Sequence, residues 1–583
     1  MPSGSPSCLL RTPDRGWLAF DRASRLIVAT RADDVAGCLA AAEAEARAGH
    51  YVAGLVTYEA AAAFGLAVHP PEPGGLPLAC FAVYTQDQVR QVTPDLSTRD
   101  GEPVQPWLPS LTRAAYLDAL AQVREAIADG ETYQLNFTFR LRAPFDGDPR
   151  PLFNRLASAQ DGGWSAWMDL GDHVVCSASP ELFFVREHGR LTCRPMKGTA
   201  ARGLTLADDR ARADALRHSA KEQSENVMIV DLIRNDLGRV ATVGSVEVTS
   251  LFEVERYPSQ WHLTSTVTAD APDASLVDLF SALFPSGSVT GAPKARSMEL
   301  IRDLESAPRG LYTGAIGLLE PGGRIHFNVA IRTAVVDRRR HTVEFGVGSG
   351  IVWESRAEAE FEECQLKAAI LTTGVPLFDL LETLRWDPAE GFILRDRHLH
   401  RLAESAEFFG LGPLAESASL ALDAAVAGRT TPARVRLTAG PRGVHVDVRD
   451  LTPLPSPLRV ALAPTPIPTS DRFLYHKTTH RQVYDNARHA CPHADTVLLW
   501  NTAGELTEGT EATLVVELDG QKVTPPVSCG LLPGTLRAEL LAGGDITERV
   551  VRVEDLPRAT RVWLVNSVRG WMDVTLLPPV PAA

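Results

Sequence analysis

Long apolar runs are missing from this 583-residue chain: nowhere do about 18 hydrophobic residues follow one another, the length needed to span a bilayer. The first residues, MPSGSPSCLLRTPDRG, also lack a basic head followed by an apolar stretch, so no secretory leader is expected. Positive charge is in short supply. With 58 Lys and Arg against 72 Asp and Glu, the formal charge is −14, and Arg338-Arg339-Arg340 is the one basic run. That balance argues against nucleic acid or an anionic membrane as the main partner, and an anionic substrate would have to be met by locally placed cations. Cysteine is sparse too. Eight residues with no C-x-x-C pair fit reduced thiols in the cytoplasm better than a disulfide or zinc framework.

What is present is ordinary globular composition, 45% hydrophobic and 22% charged, in a chain too long for one core. Residues 1–16, rich in Ser, Pro and Gly, are expected to be disordered. Short apolar runs alternating with an Ala/Glu helix from Asp33 to Gly49 give an α+β pattern over Trp17–Tyr84. Thr112 is a plausible N-cap for a helix with Tyr116, Leu120, Val123 and Ile127 at helical spacing. Tyr133 to Phe139 and Leu182 to Val185 read as strands. The pattern stops and restarts at Gly374-Val375-Pro376, which predicts two unlike domains, 1–372 and 376–583.

In the first block, Pro195-Met196-Lys197-Gly198-Thr199 presents an amine in a tight Gly-Thr turn. A lysine is a nucleophile only where burial or a neighbouring cation lowers its pKa, and a lone Lys-Gly-Thr is equally a surface turn. Glu181 precedes Lys197 by sixteen residues, enough for two strands to bring an acid beside the amine; an exposed ion pair satisfies the same spacing. Glu222 and Glu225, and again Glu360 and Glu363, are E-x-x-E pairs at helix starts. Two such pairs would make a hard oxygen site suited to Mg²⁺, or simply acidic helix faces. Phe345-Gly346-Val347-Gly348-Ser349-Gly350-Ile351 reads as a glycine-rich turn able to aim amides at a carboxylate.

Eight segments between 179 and 367, among them SPELFF (179–184), PMKGT (195–199), ENVMIVDLIRNDLGRV (225–240), PSGSVTGAPKARSMELI (285–301) and GVGSGIVWESRAEAEFEECQLK (346–367), resemble the chorismate-utilising enzymes. The resemblance implies a two-layer β-sandwich flanked by helices. It further implies that Glu225 and Glu363 hold Mg²⁺ on the ring carboxylate of chorismate, with Glu222 and Glu360 in support. Tyr312, Arg332, Lys367 and the amides of Gly348 and Gly350 would meet the substrate's carboxylates. His262 would lie by the ring and Thr290 in the binding loop. Anthranilate synthases carry Ala where this chain has Lys197, whereas aminodeoxychorismate synthases carry Lys, so Lys197 would be the covalent nucleophile and Glu181 the acid. No glutaminase G-x-C-x-G elbow is found, which implies ammonia from a separate glutamine amidotransferase subunit.

In the second block, Arg401 lies one turn into a basic helix, Lys477 stands in Tyr475-His476-Lys477-Thr478-Thr479, and Glu508 follows thirty-one residues later. A Schiff-base lysine and an acid for a pyridinium nitrogen are what pyridoxal phosphate requires, and Leu532-Pro533-Gly534-Thr535-Leu536-Arg537 opens a helix able to take a phosphate. This half resembles the fold-type IV pyridoxal-phosphate enzymes, an α+β fold. By that resemblance Lys477 is the Schiff-base lysine and Glu508 the ring-nitrogen partner, while Arg401, Thr535, Leu536 and Ser567 hold the phosphate. A homodimer through this half is also implied. The expected function is 4-aminobenzoate synthesis from chorismate in two steps, amination and then loss of pyruvate. The alternatives are a fused class IV aminotransferase, or one half serving as a non-catalytic scaffold.

Overall fold

A computed structural model describes residues 7–96, 106–160, 163–372 and 376–578. The expected disorder of residues 1–6, and the Gly374-Val375 junction, fall outside the described residues. Residues 7–16 are not disordered. Ser7–Thr12 is a strand that buries Cys8, Leu9, Leu10 and Thr12, paired on both sides with Gly16–Phe20 and Trp164–Asp169.

Two compact units emerge, one of Met1–Ala201 and Ala213–Val375, the other of Arg202–Arg212 and Pro376–Ala583. The segment Arg202–Arg212 joins the second unit through Arg202, which grips Asp209 with two hydrogen bonds of 2.7 Å and donates to the Phe408 carbonyl. Nothing in its local sequence marks that allegiance, because the partner carbonyl lies some two hundred residues away.

The first unit is α+β. Two antiparallel sheets, each of ten strands among the described residues, face one another. Their shared core carries Leu10, Phe20, Leu55, Tyr84, Met168, Val175, Ile316 and Leu318, contributed by both sheets. Helices cover the outer faces, Ala32–Arg47, Ala220–Gly238 and Leu276–Leu283 on one sheet, Arg113–Ala128 and Pro149–Ala159 on the other. Thr112 caps the helix it precedes by accepting the Ala115 amide at 3.2 Å. The layered sandwich follows from alternation: central strands such as Ala79–Tyr84 and Ala315–Leu319 bury one side chain in two against the opposite sheet and the next against a helix.

The glycine-rich stretch is not a turn. It ends a ten-residue strand, Thr342–Ile351, that pairs along its whole length with Gln134–Pro144. Glycine is needed there for closeness: a Cβ on Gly346 would sit 2.1 Å from the Tyr312 ring and one on Gly348 2.6 Å from the Phe137 carbonyl oxygen. The neighbouring strand Thr333–Asp337 pairs only as far as Phe345, which leaves the far edge of 346–351 open.

The second unit is also α+β. It holds a four-stranded antiparallel sheet, with Leu380–Asp387 and Ala433–Gly440 paired at its centre, and an eight-stranded mixed sheet. Helices Arg395–Phe409 and Ala415–Val426 pack on the smaller sheet through Leu402, Ala406, Ala418 and Leu422.

Candidate functional site

In the first unit, Met196–Ala201 is a strand on Gln260–Asp270, with a bulge between Met196 and Thr199. Lys197 and Gly198 occupy that bulge, so the amine is presented from an interrupted strand edge and not from a turn. Gly198 has φ +94°, and a Cβ on it would lie 3.1 Å from Glu222 Oε2, so both backbone freedom and space demand glycine. Lys197 Nζ reaches the far strand: a Cβ on Gly350 would sit 2.7 Å from it. Burial lowers the Lys197 pKa, Glu225 opposes that shift and Lys367 adds to it.

Glu181 lies between the strands His173–Ser179 and Leu182–Glu187, fully enclosed. Burial raises its carboxyl to about 7, against the pull of the Ser288 hydroxyl, which donates to Oε1 at 2.5 Å, and of Lys197. A carboxyl raised to near neutrality close to an amine whose pKa is lowered has the chemistry for an acid beside a nucleophile.

The four glutamates come from two helices, Ala220–Gly238 and Ala357–Ala368. Burial and then Glu225 raise Glu222; burial and then Glu363 raise Glu360. Glu363 is lowered, because Lys367 at 2.6 Å outweighs the burial that would raise it, and Lys221 sits 3.7 Å from Glu225. Among the described residues no three His, Cys, Asp or Glu side chains form a ready metal cage. The donors nonetheless suit Mg²⁺, which takes one or two carboxylates and completes its shell with substrate oxygens and water. Their mutual repulsion is what a divalent cation would relieve.

The remaining residues divide. Arg332, buried with φ +51°, donates to the Lys367 carbonyl at 3.3 Å, and burial lowers it to about 10. Lys367 also donates to the Gly348 carbonyl at 2.8 Å, so Arg332 and Lys367 form one cationic edge beside Lys197. His262 is held neutral, its pKa lowered to about 3 by burial and by Arg332; Nδ1 is 3.3 Å from Thr199 Oγ1 and Nε2 is buried without a protein partner. Tyr312 is buried under the Arg140 guanidinium, 5.2 Å from its ring centre, and abuts Gly346. Thr290 is turned inward: its hydroxyl donates to the Ser286 carbonyl at 3.0 Å and steadies its own loop.

Gln134 was not singled out from the sequence. Both its side-chain amide atoms are buried and unpartnered, and Nε2 lies 3.0 Å from the Cβ position of Gly350, next to the Lys197 amine. Inside an alternating strand it looks like any core-facing polar residue, and only the pairing of Asn136 with Gly350 puts it here.

In the second unit, Lys477, Glu508, Arg401, Thr535, Leu536 and Ser567 all line one cavity of about 880 Å³. Burial lowers Lys477 to about 8, with Arg401 adding to the shift. Burial raises Glu508 to about 7, although the Tyr484 hydroxyl (2.7 Å) and the Leu532 amide (3.1 Å) both donate to it. Arg401 is fixed by two hydrogen bonds to Glu382, at 2.8 and 2.7 Å, and donates to the Pro533 carbonyl at 3.0 Å. Burial alone would raise Glu382, but Arg401 and His398 draw it down to about 2. His398 bridges Glu382 at 2.6 Å to Ser567 at 2.9 Å and Thr535 at 3.3 Å. Glu382 and His398 escaped sequence reading because each supports another residue. Hydroxyls, a guanidinium and the first turn of the helix Thr535–Ala542 make an anion cup at one end, with an amine and a buried acid beyond it. That donor set fits pyridoxal phosphate.

The family model for chorismate binding enzymes matches residues 6–373. The chain belongs to that family. Residues 379–577 match the class IV amino-transferase model, so this chorismate-binding enzyme carries a class IV portion after it. Aminodeoxychorismate synthase component 1 of Salmonella typhimurium is 42% identical over 258 residues, 44% of this chain and 56% of that protein. An anthranilate synthase component 1 of Haloarcula marismortui is 41% identical over 266 residues, 45% of this chain and 54% of that one. The chain thus spans little more than half the length of these curated relatives. Anthranilate synthase component I from Streptococcus pneumoniae shares the fold at a TM-score of 0.52 and 24% identity, covering 64% of this chain and 93% of that chain. No helix among the described residues is long and apolar enough to cross a membrane.

Proposed function

We propose that the two units make 4-aminobenzoate from chorismate in succession. The observation that carries the reading is the Lys197 amine, its pKa lowered, reaching Gly350 in a pocket shared with a Glu181 that is protonated near neutrality. Mg²⁺ held by Glu225 and Glu363, with Glu222 and Glu360 in support, would neutralise the ring carboxylate and polarise the diene. Lys197 adds at C2 as Glu181 gives its proton to the departing C4 hydroxyl, which leaves as water. Ammonia then adds at C4 and Lys197 departs, giving 4-amino-4-deoxychorismate with its enolpyruvyl ether intact. Arg332 and Lys367 face the substrate's carboxylates, and neutral His262 offers its unpartnered Nε2 to the ring face.

In the second unit, Arg401, Thr535, Leu536 and Ser567 would hold the phosphate of pyridoxal phosphate, and Glu508 its ring nitrogen; the cofactor supplies an electron sink. Lys477, its pKa lowered by burial to about 8, would take the proton from C4 of the substrate, and pyruvate leaves as the ring becomes aromatic. The working form is a cytoplasmic homodimer through residues 376–583, fed with ammonia by a separate glutamine amidotransferase subunit. Incubating the chain with chorismate, ammonium, Mg²⁺ and pyridoxal phosphate should yield 4-aminobenzoate and pyruvate. Recovery of 2-aminobenzoate would overturn the first step, and a requirement for a keto-acid acceptor would make the second an aminotransferase.

A further inference from the structure

The cavity around Lys477 has a wall that the proposed cofactor does not use. On Ala433–Gly440, Arg434 and Arg436 both point into it, two residues apart on one face of the strand and so about 7 Å apart along it. Among the described residues neither makes a hydrogen bond or ion pair with a carboxylate. The acidic residues of the cavity are already engaged: Asp450 with Arg429, Asp495 with Arg459, Glu511 with Arg488, and Glu508 with the Tyr484 hydroxyl and the Leu532 amide.

The arrangement is costly as it stands. Arg434 lies directly across from Arg385 on one neighbouring strand and from Arg449 on the other, a row of three like charges. Facing cross-strand pairs of one sign destabilise a sheet. Asp387, 3.6 Å from Arg385, and Asp447, 2.8 Å from Arg449, relieve the flanks, but the middle member has no counter-ion. Arg569, also on the cavity wall, adds a further cation close enough for Arg434 to lower its pKa, after burial. An anion in the cavity would offset this repulsion.

The row is also well placed. The Lys477 carbonyl accepts the Leu381 amide at 2.9 Å; Thr383, on the same face as Leu381, is the cross-strand partner of Arg436. Arg436 therefore lies two strands across from Lys477 and two residues along, roughly 12 Å from the backbone that carries the lysine, a gap that a substrate and two long side chains can span.

We infer that Arg434 and Arg436 are specificity-determining residues that grip two carboxylates of the substrate, so that the cavity selects an amine bearing two carboxylates remote from the reacting carbon. This inference rests on the proposed second reaction and deepens it: 4-amino-4-deoxychorismate is such a dianion, whereas an ordinary amino acid has one carboxylate, on the reacting carbon itself.

The test uses the full chain loaded with pyridoxal phosphate, wild type and the variants Arg434→Gln, Arg436→Gln and Arg436→Lys. The visible absorption of the bound cofactor reports that Lys477 and the fold are intact in each. For pyruvate release from aminodeoxychorismate, each Gln variant should raise KM about tenfold or more with kcat nearly unchanged, and Arg436→Lys should recover much of the loss, as expected for charge-assisted hydrogen bonds. Titrating the cofactor band with isophthalate and with benzoate gives an arm independent of turnover: wild type should prefer the dicarboxylate, and the Gln variants should lose that preference. KM values within twofold of wild type together with a retained isophthalate preference would overturn the inference. A wild type that releases no pyruvate yet prefers isophthalate would sink the lyase reading and leave the arginine wall standing.

Discussion

Lys197 and Lys477 are both amines whose pKa is lowered by burial, and each shares its pocket with a buried glutamic acid raised to about 7, Glu181 in one unit and Glu508 in the other. What surrounds each pair differs. Near Lys197, two helices bring together Glu222, Glu225, Glu360 and Glu363 opposite the cationic edge of Arg332 and Lys367, so one side of the site calls for a cation and the other for carboxylates. Near Lys477 stand Arg401 and Arg481, with Arg434 and Arg436 on the same cavity wall, a surplus of cation that calls for phosphate and carboxylate. A buried amine and a buried acid do not by themselves specify a reaction. The sign of the remaining charge selects what can join them.

The largest effect that sharpens this contrast is separation of the two half-reactions. Lys197→Ala should lose amination of chorismate by on the order of a thousandfold or more while pyruvate release from supplied aminodeoxychorismate persists, and Lys477→Ala should do the reverse and lose the visible absorption of bound cofactor. Product analysis by chromatography reads both.

Next is Glu382→Ala, which leaves the buried Arg401 without its two-bonded partner. Removing one member of a buried ion pair costs about 3–5 kcal/mol, so denaturant unfolding should show a large loss confined to the second unit, with weakened pyridoxal phosphate binding.

Gly350→Ala should break the first site without unfolding it. The new Cβ would lie 2.7 Å from Lys197 Nζ, the end of a flexible side chain, so stability should hold while amination falls by about a hundredfold through misplacement of the amine.

The mildest test is pH. Glu181 must be protonated to serve as an acid, so the amination rate, corrected for free ammonia, should fall as pH rises through about 7. Ser288→Ala removes a hydrogen bond that favours the charged carboxylate and should move that inflection upward.

The glutamates, lysines and Arg401 were legible as residue types at telling spacings, and the α+β alternation showed in the hydrophobic pattern. The glycine-rich stretch was misread as a turn because three glycines in seven residues look like a bend. Their cause is the Tyr312 ring, the Phe137 carbonyl and the Lys197 amine pressing on the strand. Residues 7–16 looked disordered because Ser, Pro and Gly outnumber the few apolar residues over 1–16, yet Leu9 and Leu10 are buried. Gln134, Glu382 and His398 were invisible for another reason: their partners lie on other strands and helices, and no local spacing encodes that meeting.

The order of residues alone determined the family resemblance, the presence of two amines with two acids, and a break between unlike halves. Only the tertiary structure decided which of these groups change their pKa, which hydroxyls are spent on their own loops, and which charges are left unpaired. Desolvation and Coulomb energy depend on neighbours within a few ångströms, and in this chain those neighbours are supplied from more than a hundred residues away: Ser288 for Glu181, Gly350 for Lys197, Thr535 and Ser567 for His398.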